Sequence, residues 1–121
     1  MASSEHLGQF EQLVLTAVLT LGERGYGVTI HACVEQLGHP RTVSLGAVYV
    51  TLDRLEDKGL VSSQLSDPTP ERGGRAKRCY RLEAAGERAL HAAALASRRM
   101  SAAISDVWGT QWERRWSKAW K

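Results

Sequence analysis

The stretch SLGAVYVTLDRLEDKGLV, residues 44–61, constrains the fold more than any other part of the chain. Ser44 is a helix-capping residue, because its hydroxyl can accept a hydrogen bond from a free N–H of the first turn. Leu45, Val48, Leu52 and Leu55 follow at spacings of three, four and three, which predicts one buried helical face. Gly59 closes the pattern, since glycine best tolerates the left-handed conformation that ends a helix. The other side carries Ala47, Val50, Thr51 and Arg54, with Tyr49 at the flank. Such a helix must be packed along one side and is left small and half-polar along the other.

The neighbouring sequence supplies the packing partners. Leu7, Phe10, Leu13, Val14, Ala17, Val18 and Leu21 recur at helical spacing, and Gly22 and Gly25 end that first helix. Gly27 opens a second helix with Ile30, Cys33, Val34 and Leu37 on its apolar face. Gly38-His39-Pro40 stops it, because proline cannot continue a helix and disfavours helix in the residue before it. After the third helix, residues 60–65 and 78–82 alternate in polarity and read as two antiparallel strands. They are joined by a loop carrying Pro68, Pro70 and Gly73-Gly74. The alanine-rich run from Ala84 is a long helix by propensity, with Leu90, Leu95, Met100 and Ile104 among its apolar positions.

This order predicts a mainly α protein with a small β-hairpin wing, a winged helix-turn-helix followed by a long C-terminal dimerisation helix. Residues 1–83 form the expected DNA-binding domain, and residues 84–121 the dimerisation helix and a tryptophan-rich tail. At 121 residues the chain suits a modest core. Net charge is only +3, so the distribution of charge informs more than its sum. Arg72, Arg75, Lys77, Arg78 and Arg81 fall within ten residues, at and beside the expected hairpin tip. Gly46 and Ala47 let the third helix approach a groove closely, while free N–H groups in its first turn favour a phosphate. The basic tip can neutralise phosphates in the neighbouring groove. Two weak surfaces then act as one DNA-binding face, with Thr51 and Arg54 expected to point together toward the bases.

Other classes find less support. Cys33 and Cys79 make neither a disulfide framework nor a metal spacing, and the histidines are scattered, so no metal or cofactor is expected. No carboxylate pair, nucleophile–base set or phosphate-binding glycine loop suggests an enzyme. A secretory signal and a membrane-spanning run are both missing from the sequence, which leaves the cytoplasm as the expected compartment. The rival from another class is a winged-helix module that binds protein and not DNA. It would expose large apolar groups on the third helix and would not need a basic wing.

The chain resembles the PadR-like transcriptional regulators from about Leu13 to Leu90. Tyr26-Gly27, the run VYVTLDRLEDKGLV, the tract PTPERGGRAKR and RCYRLEAAG carry the resemblance. It implies a cytoplasmic bacterial homodimer that binds a palindromic operator, usually as a repressor, with its last helix making the dimer. It places the third helix, from Ser44 to Lys58, in the major groove, with Tyr49 and Arg54 among its matched positions. With the reading of the residues above, the candidates for DNA contact are Tyr26, Ser44, Gly46, Ala47, Tyr49, Thr51 and Arg54, and Arg72, Arg75, Lys77 and Arg78 of the wing. Leu90, Leu95, Met100, Ile104 and Trp108 are the candidate dimerisation residues. This chain departs from the family pattern at Glu83, where many members have threonine, at Cys79, and throughout its last residues.

The tail DVWGTQWERRWSKAWK places Trp108, Trp112, Trp116 and Trp120 four residues apart, so they form one helical stripe. Thr110 with Glu113 fits a capping box, and a separate short helix is expected after Gly109. Four tryptophans are too much apolar surface to leave in water, so packing on the first helix or a partner subunit is expected. A sharper reading is a pocket for a small aromatic effector lined by Phe10, Trp108 and Trp112, as some family members hold planar ligands near the dimer seam. Contact with a membrane surface is the third alternative.

Overall fold

In the computed structural model the chain runs α1 (Gln9–Leu21), one 3-10 turn (Gly22–Arg24), α2 (Gly27–Leu37), α3 (Leu45–Asp57), β1 (Val61–Leu65), β2 (Arg78–Leu82) and α4 (Ala84–Trp120). The structure describes residues 6–66 and 77–120, with residues 110–120 as backbone alone. Each boundary has a local cause. At the start of α1 the Glu11 carboxylate accepts from the Gly8 N–H at 3.1 Å, one half of a capping box. Gly22 leaves the helix with φ 57°. Thr29 plays the Glu11 part for α2, accepting from the Tyr26 N–H at 2.9 Å. The end of α3 is a Schellman closure: the Gly59 N–H donates to the Glu56 carbonyl at 2.9 Å and the Leu60 N–H to Leu55 at 3.0 Å. Gly59 takes the required positive φ of 78°.

The two strands pair antiparallel, with Val61 opposite Leu82, Ser63 opposite Tyr80 and Leu65 opposite Arg78. The hairpin is anchored at both edges. Tyr80 donates its N–H to Gly25 at 2.8 Å, and Glu83 donates to Leu60 at 2.9 Å. The core collects Val14, Leu15 and Val18 from α1, Ile30 and Val34 from α2, Val48, Leu52 and Leu55 from α3, and Val61 and Tyr80 from the hairpin. Ala89 of α4 completes it.

Several expectations are corrected by the packing. Thr51 is buried, 5% exposed, while Leu45 is 37% exposed. The reason is position along the helix. Residues 48, 51, 52 and 55 follow the helical spacing that faces a neighbour, whereas Leu45 sits in the first turn. Leu37, at the last turn of α2, is exposed rather than part of the apolar face. Leu90 packs on its own chain's core together with Ala85 and Ala93, so its burial requires no second subunit. Leu95 is half-buried, and Met100, Ile104, Val107 and Trp108 are exposed. The last helix is interrupted at Gly109, whose φ of 38° and ψ of −129° are not helical, where the separate tail helix is expected to begin.

Candidate nucleic-acid interface

The first turn of α3 is prepared at Ser44, whose extended backbone (φ −81°, ψ 155°) precedes the helix. Its hydroxyl oxygen accepts from the Ala47 N–H at 3.0 Å. This satisfies one of the four orphan donors of a helix start and leaves others directed outward. Gly46 and Ala47 are exposed, and Val50, one turn on, is 56% exposed. Arg54 is exposed a further turn along the same side. Thr51 points the other way, into the core, and cannot share a base-facing surface with Arg54.

Tyr49 is half-exposed and leans on α2. A Cβ at Gly27 would overlap the Tyr49 hydroxyl oxygen and ring edge, so only glycine accommodates the ring there. The Tyr26-Gly27 pair therefore has a packing role at the helix-turn-helix junction. Tyr26 also holds the wing. Its backbone forms an isolated antiparallel bridge with Cys79, and the Lys77 ammonium lies 4.7 Å from its ring centroid. The Cys79 thiol sits 3.6 Å from the Glu23 carbonyl oxygen.

The hairpin is tied to α3 by a polar chain. The Ser63 hydroxyl lies 2.9 Å from Glu56 Oε2, and Arg78 Nη1 donates to Ser63 Oγ at 3.0 Å. A second tie joins the end of α3 to α1, with Lys58 Nζ 2.8 Å from Glu11 Oε2. Burial pushes the Glu11 carboxyl toward a higher pKa. Lys58, the Gly8 N–H and more distant Arg54 outweigh it and hold the group below its ordinary value. Arg72 and Arg75 lie outside the described residues. Trp112 lies in the segment described as backbone only.

The expected aromatic effector pocket includes Trp112, whose side chain lies outside the described residues. Phe10 is half-buried beside the core and carries the Arg41 guanidinium 5.4 Å from its ring centroid. A separate groove beside α1 and α4, of about 320 Å³, is lined by residues including Leu7, Gln12, Ala93, Ala96 and Met100. The outward face of α3 also holds Leu45, which the pattern of polarity assigns to the core, and the charged Asp53. Asp53 lies seven residues from Gly46 and three from Val50, a spacing that puts it on their side.

A capped helix with an open first turn, packed on two others and flanked by a hairpin, defines a winged helix-turn-helix protein. Residues 15–92 match the transcriptional regulator PadR-like family, and the chain belongs to that family. Its fold is similar to that of a PadR family transcription regulator from hypervirulent Clostridium difficile R20291, with 24% identity, a TM-score of 0.65, and coverage of 84% of this chain and 100% of that one. A PadR family regulator from Eggerthella lenta DSM 2243 is similar at 21% identity and a TM-score of 0.62, over 81% of this chain and 82% of that one. So is the Aeropyrum pernix ORC1 protein, solved in complex with DNA, at 24% identity and a TM-score of 0.62, over 80% of this chain and 27% of that one. No curated protein matches the chain. No helix among the described residues is long and apolar enough to cross a membrane.

Proposed function

We propose that this chain is a cytoplasmic, dimeric transcriptional repressor that grips a palindromic operator and lets go when a small aromatic effector binds. The observation that carries the DNA reading is the start of α3. Ser44 is committed to the cap, Gly46 and Ala47 present little bulk, and Val50 offers an apolar group of the kind that meets a thymine methyl. Beside it stands the wing, with Lys77 and Arg78 at its stem, and the sequence between its strands adds Arg72 and Arg75. The Aeropyrum pernix ORC1 protein, part of which has a similar fold, was solved in complex with DNA, which supports DNA as the partner here. Leu45, Tyr49 and Val50 are exposed on α3, so the reading against a protein-binding module rests on the basic wing, with Lys77 and Arg78, which such a module would not need.

Enrichment of a random duplex library on the full chain tests this reading. A palindromic consensus is expected, with log affinity falling linearly in log salt concentration. Replacing Lys77 or Arg78 with alanine should lower that slope by about 0.9 for each phosphate no longer neutralised, with the sequence preference kept. Binding that survives with both substitutions and an unchanged slope would remove the wing from the interface. An aromatic compound that quenches the tryptophan fluorescence of the dimer should also release the enriched duplex. Quenching without release would leave the compound with no part in regulation.

A further inference from the structure

The loop that leads into α3 is held by two side chains of α2 that no known role of the fold assigns. His31 and Glu35 lie one turn apart on α2 and both reach Val43, the residue before the Ser44 cap. His31 Nε2 stands 2.7 Å from the Val43 carbonyl oxygen, and the Val43 N–H donates to Glu35 Oε2 at 3.2 Å. A carbonyl can only accept, so Nε2 carries the proton in this contact. The two side chains are 3.6 Å apart and are themselves partly exposed, at 25% and 37%. Both backbone groups of Val43 are thereby satisfied from the same helix, although Val43 lies in neither helix nor strand and its side chain is half-buried.

We propose that His31 and Glu35 are positioning residues for DNA recognition: by clamping both backbone groups of Val43 to α2, they fix where α3 starts and how its first turn meets the major groove. The inference rests on the DNA-binding reading above. The Ser44 hydroxyl can cap α3 wherever the loop carries it, because the cap is local to residues 44–47. Core contacts of Val48, Leu52 and Leu55 hold the body of α3, but the loop that delivers its first turn is tied from another element by these two hydrogen bonds, which among the described residues between α2 and α3 reach farthest along the chain. The wing is attached through β1, β2 and Tyr26, and does not depend on Val43. Loss of the clamp should therefore weaken reading of sequence more than general attraction to phosphate.

The test compares two duplexes of equal length, one enriched from a random library by the parent protein and one unselected. His31→Ala and Glu35→Ala should each bind the enriched duplex about tenfold more weakly, a change of roughly 1.4 kcal/mol, while binding the unselected duplex nearly as the parent does. His31→Gln keeps an N–H donor near the position of Nε2, and Glu35→Gln keeps a carbonyl acceptor, so both should restore the preference. Faster amide exchange at residues 43–47 in the alanine variants should accompany the loss. Parent-like preference in both alanine variants, an equal loss on both duplexes, or failure of both glutamine variants to rescue would overturn the clamp. So would unfolding of either alanine variant at assay temperature, since that would make the contacts part of the fold's stability and not of its aim. A parent protein that enriches no sequence would instead overturn the DNA-binding reading itself.

Discussion

At the scale of the residue, two positions show how closely this small fold is fitted. Gly86 in the first turn of α4 faces the hairpin, and a Cβ there would overlap the Leu60 carbonyl oxygen and lie 3.1 Å from its carbon. These are backbone atoms engaged with Glu83, so they cannot step aside. Gly86→Ala should cost about 1–3 kcal/mol through overpacking, even though alanine is the better helix former. Thermal unfolding of the variant checks this; an unchanged or raised midpoint would refute the close approach. The second position is Glu11. Burial works to raise the pKa of its carboxyl, but Lys58 and the Gly8 N–H outweigh burial and hold it below its ordinary value. A group with a depressed folded pKa stabilises the native state above its unfolded value, near 4.3, and loses that contribution as pH falls through the folded value. In Lys58→Met the acid limb of the stability profile should therefore be shallower below about pH 4.5. The loss at neutral pH should be about 1 kcal/mol or less, as for other partly exposed pairs. Urea titrations of both proteins between pH 3 and 7 would show the convergence.

At the scale of the element, what was legible in the sequence was whatever chain-local chemistry decides. The Ser44 cap, the Gly22 and Gly59 stops and the placing of the two strands depend on neighbours within a few residues, and the structure has them where the sequence puts them, although β1 does not alternate in burial. The errors lie where packing across elements decides. Leu45 is more apolar than Thr51, so polarity assigned the wrong one to the core; place along the helix relative to α1 and α2 reversed them. The Tyr49 ring over Gly27, the hold of His31 and Glu35 on Val43 and the Glu56–Ser63–Arg78 chain join residues with no sequence signature in common. That last chain carries a prediction at this scale, because Ser63 is the link in it between α3 and Arg78 of the wing. Ser63→Ala leaves Glu56 and Arg78 without their shared partner and should cost about 1 kcal/mol of stability. It should also free Arg78, so that DNA binding weakens by a factor that grows with temperature. Equal losses of affinity at all temperatures would mean that Arg78 is aimed by other contacts.

At the scale of the whole molecule, the length of α4 exceeds what one subunit can cover. Ala85, Ala89, Leu90 and Ala93 settle onto the core of their own chain, but every described residue from Ala96 to Gly109 is exposed. Met100 is 62% exposed and Val107 74%, with Ile104 and Trp108 between and beside them. At about 25 cal/mol per Å² of apolar surface, such a stripe favours association strongly. The commonest arrangement for a small protein is a two-fold pair, in which each copy covers the same stripe on the other. Leu95, Met100, Ile104 and Trp108 are the residues expected at that seam, with Leu90 retained by its own core. A two-fold pair would also set two copies of α3 about 34–36 Å apart, one turn of duplex, and so require a palindromic site. Ending the chain before Arg98 should leave the winged domain folded, since its core lies within residues 7–93. It should abolish the dimer and weaken operator binding by about a hundredfold or more, as expected when two linked contacts become one. Sedimentation of the full chain at micromolar concentration should give a dimer and of the shortened chain a monomer. A full-length monomer there would remove the two-fold pair, and with it the physical reason for a palindrome.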